Sequence, residues 1–156
     1  MRALVIVSSH RASTGVYEDR SGPILVAGLS ALGFEVGPAE VVDDGTPFAA
    51  ALLAGVGADY QLIVTAGGTG LTPTDVTPEL TVPLLTRQIP GIPEAIRLYG
   101  LNHGVKNAAL SRGVAGLAGS TLVINIAGSP GAARDALEVL ADFLPHALAQ
   151  ISGGDH

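Results

Sequence analysis

The stretch Thr65-Ala66-Gly67-Gly68-Thr69-Gly70-Leu71-Thr72-Pro73-Thr74-Asp75-Val76-Thr77-Pro78-Glu79 gathers residue types that bind anions. Gly67, Gly68 and Gly70 lack a Cβ, so the backbone can approach a ligand closely and aim N–H groups at negative charge. Thr77 can cap a helix with Pro78 at its first position, adding the free N–H groups of a helix N-terminus. A glycine-rich strand exit leading into an ordinary Thr-Pro helix start has the same composition, and this stretch alone leaves both readings open. A second loop, Asn125-Ile126-Ala127-Gly128-Ser129-Pro130-Gly131, repeats the theme with Ser129 as a natural N-cap. Ser21-Gly22-Pro23 and Thr46-Pro47 share this grammar, so no single helix start is a functional signal by itself.

Acidic residues accompany these loops. Asp44, after Asp43, and Asp75 are candidate Mg²⁺ ligands, because Mg²⁺ commonly takes one or two carboxylates together with substrate phosphates. Asp-Asp-Gly is also a common turn sequence, and Asp75 can serve as a local cap or Asx-turn residue. Other chemistries drop out. No G-x-x-x-x-G-K-[ST] occurs and Lys106 is the only lysine, which excludes a P-loop. Pro73 stands where a dinucleotide fingerprint needs its third glycine. There is no G-x-S-x-G elbow, and His10, His103, His146 and His156 show no paired ligand spacing. Cysteine is absent, which removes thiol nucleophiles, Cys-ligated zinc and disulfides together. Aromatics at 4% offer no stacking platform, and a net charge of −6 argues against a nucleic-acid partner.

The elements that must position these loops read as alternating strands and helices. Residues 2–8 are a short apolar run ending in Ser8-Ser9, the pattern of a buried parallel strand. A polar loop spans His10 to Gly22; Ile24, Leu25, Gly28, Leu29 and Leu32 then recur at helical spacing, with Gly33 as C-terminal cap. Strands are expected at 34–42, 60–65, 112–117 and 120–126, and helices at 47–56, 78–88, 92–99 and from Pro130 onward. Pro145 should kink or loosen the last helix. This alternation predicts a three-layer α/β/α domain with a mostly parallel sheet, one domain over residues 1–156. In such a fold the loops after strand C-terminal ends share one rim, which collects both glycine loops and the acidic residues.

Mean hydropathy is +0.45 with only 14% charged residues, so partner subunits are expected to cover some apolar surface. The first apolar run is too short for a signal peptide. Gly113 to Ala133 carries no charge, but its glycines, Asn125 and Pro130 read as strand, loop and helix start rather than a span. The expectation is a soluble, cytoplasmic protein without membrane contact.

Taken in order, these motifs resemble the molybdopterin-binding (Mog/MoaB) family. Its T-x-G-G-T-G…D-V-T-P-E signature is similar to Thr65–Gly70 with Asp75-Val76-Thr77-Pro78-Glu79. Ser9-His10-Arg11, Gly15-Val16-Tyr17-Glu18-Asp19 and Ser21-Gly22-Pro23 resemble its first loop, and Ser111-Arg112, Asn125 and Gly128-Ser129-Pro130 resemble its later elements. The likeness runs from about residue 4 to 150. It implies Mg²⁺-dependent adenylyl transfer from ATP to the terminal phosphate of molybdopterin. By the resemblance Asp44 and Asp75 hold Mg²⁺ or orient the attacking phosphate, Gly67, Gly68, Thr69 and Gly70 cradle pterin or phosphate, and Ser111, Gly128 and Ser129 close the pocket. It also implies a homo-oligomer, a trimer rather than a hexamer, and a separate protein for molybdenum insertion. Thr74 stands where many relatives have Arg, His10 replaces a frequent Asp, and Ala127 replaces a proline. A non-catalytic molybdopterin carrier is the alternative, and a generic nucleotide-linked α/β protein the third.

Overall fold

A computed structural model describes residues 1–154; Asp155 and His156 lie outside them. Seven strands form one sheet in the order β2-β1-β4-β7-β6-β5, with β3 also pairing β1. Its centre is β1 (Arg2–Ser8), β4 (Leu62–Ala66) and β7 (Thr121–Ile126), all parallel. From Ala3 to Ser8, all of β4 and all of β7 are buried, as expected for strands covered on both faces. Alternate side chains then divide between two cores. Val5, Val64 and Ile124 face α2 (Ser21–Ala31), α5 (Gly91–Asn102) and α6 (Pro130–Ile151), while Ile6, Ile63 and Val123 face α3 (Thr46–Val56) and α4 (Thr77–Thr81). The three-layer, mostly parallel architecture predicted from the alternating pattern is therefore present. The exceptions are β6 (Ala115–Ala118) and β5 (Arg87–Gln88), which extend the sheet antiparallel.

Several boundaries differ from the sequence expectation, each for a local reason. The loop after β1 contains a short helix, α1 (His10–Ser13), whose first turn is capped by Ser9 accepting from Ala12 N–H at 3.2 Å. The expected strand 34–42 is two short ones, β2 (Glu35–Val36) and β3 (Glu40–Val42). Pro38 between them has no N–H to give the ladder. The expected helix 78–88 stops at Thr81, passes through a 3₁₀ turn Val82–Leu84 around Pro83, and ends in β5. The strand expected from residue 112 begins at Ala115, because Arg112 N–H goes instead to the Thr69 carbonyl at 2.9 Å.

Thr77 does not cap α4 as expected: it lies inside the helix, and its buried hydroxyl has no hydrogen-bond partner. Thr46 likewise makes no cap, and α2 is capped from outside by Asp19, which accepts from Ser21 and Gly22 N–H at 3.0 Å. Ser129 does cap α6, accepting from Ala132 N–H at 3.1 Å. Gly33 follows α2 at φ +90°, the left-handed position anticipated for it.

Pro145 does not interrupt α6, which runs through it to Ile151. Pro145 and Ala141 are both exposed, so the carbonyl that loses its donor is on the solvent face, while Leu144 and Leu148 stay fixed in the core. Gly113 to Ala133 resolves into β6, β7 and the start of α6, and no helix among the described residues is long and apolar enough to cross a membrane.

Candidate functional site

The C-terminal ends of β1, β3, β4 and β7 open onto one cleft of ≈ 810 Å³. Asp44, Gly67, Gly68, Thr69, Gly70, Asp75, Ser111, Gly128 and Ser129 all line it, so the nine residues expected to form the site come to the same place. Backbone packing shapes the floor. Gly67 has φ +102°, and a Cβ there would collide with the Ser8 carbonyl at the end of β1. Gly68 has φ +62°, and its Cβ would strike the Thr77 hydroxyl. Gly128 packs on Gly67, with its Cβ position 3.0 Å from the Gly67 Cα. Only glycine allows the two loops to meet this closely.

The possible cradle residues are not equivalent as donors. Gly67 N–H is spent on the Ile126 carbonyl at 3.1 Å. Gly68, Thr69, Gly128 and Ser129 N–H make no hydrogen bond within the described residues, so these can meet an anion. The N-terminus of α6 opens beside them. Across the cleft, the Thr69 and Ser111 hydroxyls are 3.2 Å apart.

Asp44 is held from the end of β1 and the start of α1: Ser8 Oγ donates to its Oδ1 at 2.6 Å and His10 N–H to its Oδ2 at 3.2 Å. Its neighbour Asp43 does not line the cleft and instead binds His10 Nδ1 at 3.0 Å. The His10 hydrogen bond is the main reason the Asp43 carboxyl lies below its ordinary pKa, with the Asp44 N–H and the imidazole charge adding to it against burial. Burial pushes the Asp75 carboxyl up, but Thr72 Oγ and N–H at 2.6 and 2.8 Å, Gly70 N–H and the Arg112 charge together hold it below the usual range. Asp75 is therefore ionised at neutral pH.

Both carboxylates keep lone pairs beyond these bonds, since an ionised carboxylate has about four acceptor sites. Among the described residues no group of three or more His, Cys, Asp or Glu could form an all-protein metal cage. Two carboxylates on one cleft fit a Mg²⁺ ion that takes its other ligands from phosphate and water.

Arg112 was not among the residues chosen from sequence. Its Nε donates to the Gly70 carbonyl at 2.7 Å, its Nη2 to the Asp75 carbonyl at 2.6 Å, and its Nη1 pairs with Glu79. One guanidinium thus ties both ends of the glycine loop to the start of α4. The hydrogen bond from Arg112 is the largest cause holding the Glu79 carboxyl below its ordinary pKa. Ser8, Asn107 and Leu110 also line the cleft unforeseen, and only the Ser-Arg pair at 111–112 carried any signal for this region. His103 stacks on Tyr99 and His146 contacts Gln150, both away from the cleft; His156 lies outside the described residues.

A family model described as "Probable molybdopterin binding domain" matches residues 4–146. A molybdenum cofactor biosynthesis bifunctional protein of Chlorobaculum tepidum is 36% identical over 156 residues, covering 99% of this chain and 50% of that protein. The chain therefore spans half the length of that relative. A molybdopterin adenylyltransferase of Helicobacter pylori (strain J99) is 36% identical over 155 residues, covering 96% of this chain and 86% of that protein. Among solved structures, the molybdopterin biosynthesis Mog protein from Mycobacterium ulcerans superposes with TM-score 0.91 at 50% identity, covering 96% of this chain and 98% of that one. With the family match running over residues 4–146, the chain belongs to the molybdopterin-binding domain family.

Proposed function

We propose that this chain is a molybdopterin adenylyltransferase of molybdenum cofactor biosynthesis. The observation that carries the reading is the meeting of Asp44, Asp75 and the free N–H groups of both glycine loops on one cleft. Relatives named molybdopterin adenylyltransferase, one matching across 86% of its own length, support it and leave the non-catalytic carrier without a favouring observation.

The terminal phosphate of molybdopterin attacks the α-phosphorus of ATP; the new P–O bond forms as the bond to pyrophosphate breaks. Such a reaction needs alignment and charge stabilisation more than covalent help from the protein. Gly68 and Thr69 N–H hold one phosphate group, and Gly128, Ser129 and the α6 N-terminus face another across the cleft. Gly67 and Gly70 contribute shape: the first lets the loops touch, and the second turns beside the Asp75 carboxylate. Ser111 and Thr69 hydroxyls close the side wall. Asp44 and Asp75 would hold Mg²⁺, which when bound neutralises charge on the phosphates. His10 N–H and Ser8 Oγ orient Asp44, and Thr72 orients Asp75.

The same reading takes residues 1–156 as one domain acting in the cytoplasm as a homotrimer. Its partners are molybdopterin, ATP and a separate molybdenum-insertion protein. The test is to mix the purified chain with molybdopterin, ATP and Mg²⁺ and detect adenylylated pterin and pyrophosphate by mass. Magnesium-dependent product is expected; tight pterin binding without product would make the chain a carrier.

A further inference from the structure

A chain of buried polar groups runs beneath the glycine loop. Asn125 Nδ2 donates to the Thr65 and Thr81 hydroxyls at 2.9 and 3.1 Å, and the Thr81 hydroxyl donates to the Thr77 carbonyl at 2.8 Å. Thr77 N–H then donates to the Gly68 carbonyl at 3.0 Å, so the chain links β7 to the floor of the cleft. Its side chains are all paired until the last. The Thr77 hydroxyl belongs to a residue only 1% exposed, and it is the one buried side-chain oxygen or nitrogen without a hydrogen bond among the described residues.

Buried polar groups in native proteins are paired in the great majority, because an orphan has left water without a replacement partner. The Thr77 backbone cannot swing the hydroxyl elsewhere, since its N–H and carbonyl are both held by the bonds just described. Gly68 covers the hydroxyl from the cleft, so a ligand above the loop does not reach it. One acceptor borders the space that the missing Gly68 Cβ leaves open. Asp44 Oδ1 lies 3.4 Å from the position of that Cβ, which the Thr77 hydroxyl also abuts. The Asp44 carboxylate takes Ser8 Oγ and His10 N–H, two donors for about four acceptor sites. A spare donor and a spare acceptor thus face one small space, and its roof is Gly68, whose unspent N–H can meet a phosphate.

We propose that Thr77 is a positioning residue for Asp44: in the loaded cleft its hydroxyl donates to Oδ1 and fixes the carboxylate that holds Mg²⁺. Seating a phosphate on Gly68 N–H and orienting Asp44 then become one event, and loading relieves the unpaired hydroxyl of the free protein. The assignment rests on the adenylyltransferase reading only in taking Asp44 as a ligand of phosphate-bound Mg²⁺. It also gives Gly68 a second reason to be glycine, since any Cβ would fill the space in which hydroxyl and carboxylate meet.

The test compares Thr77→Val, which keeps the shape and removes the hydroxyl, with Thr77→Ser, which keeps the hydroxyl. Without ligand, Thr77→Val should raise the Tm by about 2–4 °C, because an unpaired buried hydroxyl is gone. Its binding of ATP with Mg²⁺, followed by titration calorimetry, should nevertheless weaken about 10-fold, the scale of one hydrogen bond to a charged group. Thr77→Ser should bind close to wild type. A merely structural threonine would move stability and affinity in the same direction. A Thr77→Val protein that is less stable than wild type or unfolded, unchanged affinity in that variant, or a serine variant as weak as the valine one would each overturn the proposal. A wild type that binds no ATP with Mg²⁺ would sink this assignment and the transferase reading together. Binding in the expected order with no adenylylated pterin formed would sink the transferase reading alone.

Discussion

Asp44 and Asp75 reach the cleft by different routes, and substitutions should separate them. Asp75 is held within its own turn by Thr72, whereas Asp44 depends on Ser8 at the end of β1 and His10 at the start of α1. Asp75→Ala is expected to lower kcat by about 10²–10³-fold, the scale of losing a charge aligned on a transition state, with thermal unfolding nearly unchanged. A wild-type rate, or an unfolded variant, would remove Asp75 from the chemistry. The depressed pKa of Asp75 contributes stability that is complete above its unfolded value and lost as pH falls through the folded value. Thr72→Val removes the hydroxyl at 2.6 Å and raises the folded pKa, so the Asp75 carboxyl followed by NMR should protonate at higher pH. Nine of the cleft residues were named from the sequence, but each motif alone also reads as a turn or a helix start, and only their order along the chain pointed to one site. Their division of labour was not legible there. That Gly67 N–H is already spent, and that Arg112 clasps a loop ending 37 residues earlier at Asp75, are facts of contact with no trace in local spacing.

At the level of elements, the long central strands and helices were readable because burial on both faces writes continuous apolar runs, as in β1, β4 and β7. β2, β3 and β5 have two or three residues each and exist through pairing, so the sequence pattern merged the first two into one strand and missed the third. Thr77 resembled a cap in sequence, yet the backbone enters α4 one residue earlier and leaves its hydroxyl unpaired beneath Gly68. Gly67→Ala should cost at least ~2 kcal/mol in urea unfolding, since a left-handed residue would also press on the Ser8 carbonyl. Ser129→Ala should cost about 1 kcal/mol by the same measurement, the worth of one N-cap. Equal stability of either variant with wild type would mean the loop tolerates more movement than its packing suggests.

For the whole molecule, the acidic, weakly charged surface leaves Leu98 and Leu101 on α5, Val105 in the turn after it and Leu110 at the end of a 3₁₀ helix (Lys106–Leu110) exposed, at 57%, 42%, 48% and 52%. Light scattering on the purified protein should give three times the 15.6 kDa chain mass if the proposed trimer forms; a monomer would remove the oligomer from the reading. The Arg112 clasp also bears on how far the site can be taken apart. Its guanidinium belongs to the segment entering the antiparallel half of the sheet, while the loop it fastens leaves the parallel half. The glycine signature is therefore no portable cassette: residues 62–81 grafted onto another parallel sheet would carry the turn without its fastening.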